Sequence, residues 1–214
     1  MCKVKDASGH YPDFAETVPY AVKIYKKDRM KGFVNNTNPT FNEDGTINQK
    51  SLGMISKLDA LKNETKVWGK LDHKNVVKVF MLYDNMDIDT MYLLMQKADA
   101  GQLADIDEST HLFKFNPKVE ASLRKFVSEN PGFGSSCRSE HERICKRLFQ
   151  QVAAGLRYLH ETANVVNRDI KPENILYATQ EFGTNPSLED RAQLADFTTG
   201  IELPSNRPDY MISG

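Results

Sequence analysis

The stretch Val165–Leu176 reads Val-Val-Asn-Arg-Asp-Ile-Lys-Pro-Glu-Asn-Ile-Leu, gathering an acid, a cation and an amide at short spacing between two apolar runs. Val165–Val166 has the pattern of a short buried strand entering a turn, and Ile175–Leu176 begins a second strand. Pro172 forbids a helix continuing through Asp169–Lys171. The polar residues therefore stand on a loop held at both ends. Such a loop can present Asp169 to a hydroxyl, Lys171 to a phosphate and Asn174 to a hard cation that prefers oxygen ligands. This combination is what phosphoryl transfer requires. A chance turn around a capped aspartate has no need of so many fixed positions.

A chain of 214 residues, 40% hydrophobic and 27% charged, can bury a sizeable core as one large domain or two small lobes. The 28 Lys and Arg against 29 Asp and Glu give a net charge of −1, so neither nucleic acid nor an anionic membrane is expected as a partner. Cys2, Cys137 and Cys145 form no C-x-x-C pair, which disfavours a disulfide framework and a structural zinc site. The expected compartment is the cytoplasm, or else the nucleus. No apolar run approaches the ~20 residues of a membrane span. Met1-Cys2-Lys3-Val4-Lys5-Asp6 is no signal peptide, and the N-x-T triplets at Asn35 and Asn63 are then unused.

Along the chain, Met1–Lys5 looks like a strand end, Ala7–Thr17 a polar connection, and Val18–Tyr25 a strand with Lys23 inside its apolar alternation. Lys27–Lys50 is polar, an exposed loop with a turn at Asp44-Gly45. Its approach to a calcium loop fails, because Thr40 and Ser51 stand where acids are needed. Met54, Leu58, Leu61, Thr65, Trp68 and Leu71 predict a helix over Ser51–Leu71 with Glu64 on its apolar face, where an acid is costly unless paired. Asn75–Leu82 and Thr90–Gln96 predict a hairpin, followed by a short polar break at Lys97–Gly101. Ala104–Glu140 is an insertion with a short helix at Lys118–Ser128 and a turn at Gly132-Phe133-Gly134. His141–His160 is a strong helix, striped by Ile144, Leu148, Val152, Leu156 and Leu159. Its His141-Glu142-Arg143-Ile144-Cys145 misses the second histidine of a zinc-protease motif. A polar stretch, Ala178–Ala192, then precedes Gln193-Leu194-Ala195-Asp196-Phe197-Thr198.

The central loop resembles the catalytic loop of protein kinases, H-R-D-x-K-P-x-N, with Asn167 in the histidine position. Tyr20-Ala21-Val22-Lys23 resembles the kinase V-A-I-K element, and Asp196-Phe197-Thr198 resembles D-F-G with threonine for glycine. The resemblance implies an α+β, two-lobed kinase fold: a small antiparallel-sheet lobe with one helix over 1–96, a hinge at 97–101, and a truncated helical lobe over 102–214. It implies ATP and Mg2+ as cofactors and a protein substrate. Asp169 would accept the substrate proton and Lys171 would steady the phosphate. Asn174 and Asp196 would hold metal, and Lys23 paired with Glu64 would position ATP. Ala21, Met95, Gln96, Ala98, Gln102, Glu173 and Leu176 would line the nucleotide, with Met95 as gatekeeper and Gln102 near the ribose.

Lys171 after Arg168-Asp169-Ile170 favours serine/threonine over tyrosine hydroxyls by the same resemblance. The long loop before the helix is similar to calcium/calmodulin-dependent kinases and their activating kinases. That similarity implies an upstream kinase or a calmodulin-type regulator as a partner. The family's glycine-rich loop and A-P-E are expected to be missing from this span. With Asn167 and Thr198, that leaves a catalytically inactive scaffold as the rival expectation. Arg168 is expected either to bind a phosphate on Thr199, Ser205, Tyr210 or Ser213, or just beyond them, or to pack the loop through an internal acid pair.

Overall fold

The computed structural model describes residues 20–36, 40–107, 109–179, 190–197 and 200–204. The strand end at Met1–Lys5, the connection Ala7–Thr17, and Thr198, Thr199, Ser205, Tyr210 and Ser213 lie outside them. In chain order the elements are β1 (Tyr20–Lys26), β2 (Phe33–Asn35), β3 (Met54–Ser56), α1 (Lys57–Gly69), β4 (Val79–Asp84), β5 (Thr90–Gln96), β6 (Gly101–Gln102), β7 (Ala104–Asp107) and β8 (Leu112–Phe115). There follow α2 (Pro117–Glu129), α3 (Glu140–Arg157), β9 (Val165–Val166), β10 (Ile175–Ala178), β11 (Arg191–Leu194) and β12 (Ile201–Glu202).

The small lobe is an antiparallel sheet in the order β1-β5-β4, backed by α1. The β4–β5 turn is closed by Asn85, whose side chain and carbonyl accept the N–H groups of Asp87 and Ile88. Beyond the polar break, a second sheet in the order β11-β10-β6 lies against α3, which packs on α2. One apolar core runs through both halves, from Val67, Trp68, Leu93 and Met95 to Leu123, Leu148, Leu159 and Phe197. The two-lobed α+β architecture therefore agrees with the sequence.

Four local expectations are corrected. The helix predicted from Ser51 starts at Lys57. Gly53 has a φ of +127°, backbone that favours glycine, and Ser56 caps α1 by accepting the Asp59 N–H, so Met54–Ser56 pairs with Phe33–Asn35 instead. β2 also interrupts the loop expected over Lys27–Lys50, although its turn at Asp44-Gly45 is present, with Gly45 at a φ of +83°. The strand expected from Asn75 begins at Val79. Before it, Val76 bridges Leu194 in parallel and the Val77 N–H donates to the Leu194 carbonyl, so tertiary pairing claims these valines. Finally, the insertion contains a hairpin that its sequence did not announce: β7 and β8 pair with Ile106 opposite Phe113.

The long helix is close to its expected bounds and ends in a wider π turn over Tyr158–Thr162. Gly155 on α3 meets the loop before β4 so closely that a Cβ there would lie 2.8 Å from the Asn75 carbonyl oxygen. That contact seats the helix that carries the polar loop.

Candidate active site

The polar loop hangs between β9 and β10. At one end Val165 and Val166 pair with Glu202 and Ile201, and at the other β10 is the middle strand of its sheet. Pro172–Asn174 forms one tight turn, closed by the Asn174 N–H donating to the Lys171 carbonyl at 2.9 Å. This turn brings three of the predicted residues together. Lys171 Nζ and Asn174 Nδ2 each donate to Asp169 Oδ2 at 2.8 Å, and Asn174 Nδ2 also reaches the Asp169 carbonyl at 3.0 Å. Both side-chain contacts fall on Oδ2 of the carboxylate. The hydrogen bond from Lys171 holds the Asp169 carboxyl below the usual carboxylate range, with Asn174 adding to it against some desolvation. Asp169 is therefore an anion at neutral pH, as a proton acceptor must be.

Facing this loop is the segment after β11. The Ala195 N–H donates to the Asn174 carbonyl at 2.9 Å, which ties the two proposed metal ligands' neighbourhoods together through main chain. Asp196 has a φ of +55° and Arg168 a φ of +66°, so both flanks of the site use left-handed backbone at non-glycine residues. The Phe197 side chain is buried against Trp68 of α1, with ring centroids 5.4 Å apart.

On β1, Ala21, Lys23 and Tyr25 share the sheet face with their partners Met95, Leu93 and Met91 on β5. The face is the inner one, since Met91, Leu93 and Met95 are buried. Lys23 Nζ lies 5.4 Å from the Tyr25 ring centroid. Burial works against its charge, but Tyr25 and the carboxylates of Asp196 and Glu64 outweigh that, and the lysine is held above its ordinary value. Glu64, only 5% exposed, thus sits where its charge acts on Lys23. Asp196 and Glu173 also act on Lys171, so Asp196 lies within electrostatic reach of both lysines.

The expected nucleotide-lining residues fall into groups. Ala21 opposes Met95 across β1 and β5, and Gln102 opposes Leu176 across β6 and β10. Gln96 ends β5, and its side-chain oxygen accepts from Gln193 Nε2 at 3.3 Å. Ala98 stands in the connection to β6, with its carbonyl accepting the Gly101 N–H at 3.1 Å. Glu173 is half-buried on the Pro172–Asn174 turn. Among the described residues no group of three or more His, Cys, Asp and Glu side chains could hold a metal, so any cation here relies on amide and carboxylate oxygens together.

Sequence reasoning missed the side chains that brace this site. Asn75 Nδ2 donates to the Ala192 carbonyl at 2.8 Å, and its own carbonyl accepts the Leu194 N–H at 2.8 Å. Gln151 clamps the start of β11 from α3, donating to the Asp190 carbonyl and accepting from the Ala192 N–H. Their only signal was a polar residue inside an otherwise apolar helix face or strand entry. Asn167, noticed only as a departure from a pattern, is 1% exposed and bonded to both sides of the site.

Residues 46–212 match the protein kinase domain family. The calcium-dependent protein kinase 5 of Plasmodium falciparum is 29% identical over 137 residues, which are 62% of this chain and 19% of that protein. The calcium/calmodulin-dependent protein kinase type 1 of Caenorhabditis elegans is 29% identical over 144 residues, 67% of this chain and 32% of that protein. A serine/threonine-protein kinase of Schizosaccharomyces pombe is 25% identical over 179 residues, 77% of this chain and 42% of that protein. The matched segment thus spans less than half the length of each of these relatives.

Proposed function

The chain belongs to the protein kinase domain family, and from that premise we propose that it is an ATP-dependent protein serine/threonine kinase. The observation that carries this reading is the single carboxylate of Asp169, bonded on Oδ2 by Lys171 and Asn174. In the proposed reaction a serine or threonine hydroxyl gives its proton to Asp169 Oδ1 as its oxygen bonds the γ-phosphorus of ATP. The bond from that phosphorus to the β-γ bridging oxygen breaks, and ADP leaves. Lys171, already next to the acceptor, balances charge on the phosphoryl oxygens in transit. Lys23 holds the nucleotide phosphates; burial works against its charge, and Tyr25, Asp196 and Glu64 together favour it.

A magnesium ion fits the donor set. Asn174 spends its Nδ2 on Asp169, so its Oδ1 is the oxygen it can offer a metal, and Asp196 offers a carboxylate. Mg2+ favours such all-oxygen sites with one or two carboxylates and substrate phosphates. When bound, the ion would neutralise phosphate charge. Ala21, Met95, Gln96, Ala98, Gln102, Glu173 and Leu176 are assigned to the nucleotide cleft, and 97–101 to the hinge between a small lobe ending at Gln96 and a helical lobe starting at Gln102. The relatives' names include calcium-dependent and calcium/calmodulin-dependent kinases, which supports a calmodulin-type regulator or an upstream kinase as a partner. The cytoplasm, or the nucleus, is the compartment assigned.

The test is transfer of labelled phosphate from ATP with Mg2+ into serine/threonine and tyrosine peptide libraries. Transfer should go to the former, and Asp169→Asn should lower it by ~10²–10⁴, the usual weight of a general base, while nucleotide still binds. Nucleotide binding by the unaltered chain without any transfer would make it an inactive scaffold.

A further inference from the structure

The hairpin inside the insertion pairs with no other strand among the described residues: β7 and β8 form a two-stranded sheet of their own. One of its faces carries Ala104 and Ile106 opposite Phe115 and Phe113. The inner pair is anchored, with Ala104 buried and Phe115 packed on the core, whereas Ile106 and Phe113 project beyond it at 47% and 57% exposure. The other face carries Asp105 and Asp107 opposite Lys114 and Leu112. The tip is held in place, because Asp107 Oδ1 accepts the Ser109 and Thr110 N–H groups and the Asp107 carbonyl accepts the His111 N–H at 2.7 Å. On one side β7 runs beside the Pro172–Asn174 turn of the site. β8 is then the outer strand, and its backbone edge is unpaired among the described residues. Sheets blunt such edges with charge, proline or a bulge, yet Leu112-Phe113-Lys114-Phe115 has one lysine among three large apolar residues. This edge is made to be covered.

We propose that the outer edge of β8 docks the protein substrate: an extended segment, separate from the residues around the acceptor hydroxyl, adds to the hairpin as a third strand. In naming a substrate as the occupant we rely on the kinase reading of Asp169. Alternate side chains of an added strand fall on the Ile106–Phe113 face, so those are apolar. The side chains between them fall on the face of Asp105 and Asp107, where two carboxylates outnumber Lys114, so those are basic. A substrate fits better than a second copy of the chain because the far side of the hairpin is the site itself. A segment held on β8 keeps its own acceptor within a short linker's reach of Asp169, which raises the effective concentration of the hydroxyl. The preordered tip lowers the entropy that docking costs.

The test uses the full chain and a fluorescent peptide, Val-Lys-Val-Lys-Val, titrated by anisotropy. Saturable binding is expected, and the same peptide with every backbone nitrogen methylated should not bind. The double variant Ile106→Thr, Phe113→Thr keeps β-forming residues on the hairpin and should weaken binding by about tenfold or more, the order that burying such side chains contributes. Should that variant fail to fold, the methylated peptide on the parent chain decides. Joined to a serine acceptor peptide through a Gly/Ser linker of about 12 residues, which reaches roughly 20 Å, the docking peptide should lower KM for phosphate transfer by at least about tenfold. No binding, equal binding of the methylated peptide, or a KM within about twofold of the acceptor alone overturns the proposal. A dimer in sedimentation that the double variant abolishes also overturns it, since the occupant is then a second copy. Binding without transfer to either peptide sinks the kinase reading and leaves an edge that takes a strand, so the two failures are told apart.

Discussion

Trp68 offers the sharpest test of how the helix carrying Glu64 is held. It is the single tryptophan of the chain, 2% exposed, with Nε1 donating to the Val77 carbonyl at 2.7 Å and its ring against Phe197. Val77 is fully buried, so no water can replace a lost donor. Trp68→Phe keeps an aromatic ring but strands that carbonyl, at a cost of about 1–3 kcal/mol. The smaller ring adds a cavity term on the order of 1 kcal/mol. The two together predict a loss of about 2–4 kcal/mol in unfolding free energy. Trp68→Ala, which also removes the contact with Phe197, should cost at least the ~3–5 kcal/mol of a large core truncation. Urea unfolding followed by far-ultraviolet circular dichroism measures both, since the variants lose the fluorophore. A Trp68→Phe loss below about 0.5 kcal/mol, the size of an ordinary surface change, would refute the claim that this hydrogen bond anchors α1.

Two further outcomes follow from the packing. Gly155→Ala should destabilise the chain by ~1–3 kcal/mol, although alanine is favoured over glycine inside a helix by about 1 kcal/mol. The new Cβ would lie 2.8 Å from the Asn75 oxygen and 3.1 Å from Leu194 Cδ1, and the Asn75 carbonyl cannot retreat without losing the Leu194 N–H. A higher melting temperature for this variant would contradict that reading. His73 is pushed below the usual histidine value by burial, with Lys74 and Arg157 adding to it, and its Nδ1 accepts the Asn75 N–H at 3.1 Å. The unfolded chain then takes up the proton first, so this contribution is intact above about pH 6.5 and declines as pH falls toward the lower folded value. His73→Gln should flatten the fall in melting temperature across that range; an unchanged slope would count against it.

The residues legible in the sequence were those whose role sits in a short stretch of chain. Asp169, Lys171 and Asn174 lie within one turn, and Pro172 announced that turn, so their meeting could be read from spacing alone. Thr90–Gln96 was legible because its alternation survives intact in β5. Lys23 and Glu64 could be singled out as charges in apolar surroundings, but not the field of Asp196 that also acts on Lys23. What escaped was long-range. Val76 and Val77 look like the start of a strand, yet their partner is Leu194, far along the chain. Ser51–Ser56 has helical spacing, but the backbone at Gly53 and the cap at Ser56 overrule it. Asn167 showed only as a mismatch, because a buried amide leaves no periodic trace.

The stitching of Val76 and Val77 to Leu194 attaches the two halves apart from the connection from Gln96 to Gly101, and the Trp68–Phe197 ring contact and the Lys70–Glu202 ion pair add further ties. A body tied at one place can swivel freely, whereas one tied at several separated places cannot. The Leu194 tie belongs to the strand that leads directly into Asp196, and that strand also meets the loop that follows α1. A displacement of the loop between α1 and β4 is thereby passed, through hydrogen bonds alone, to the strand that carries the chain into Asp196.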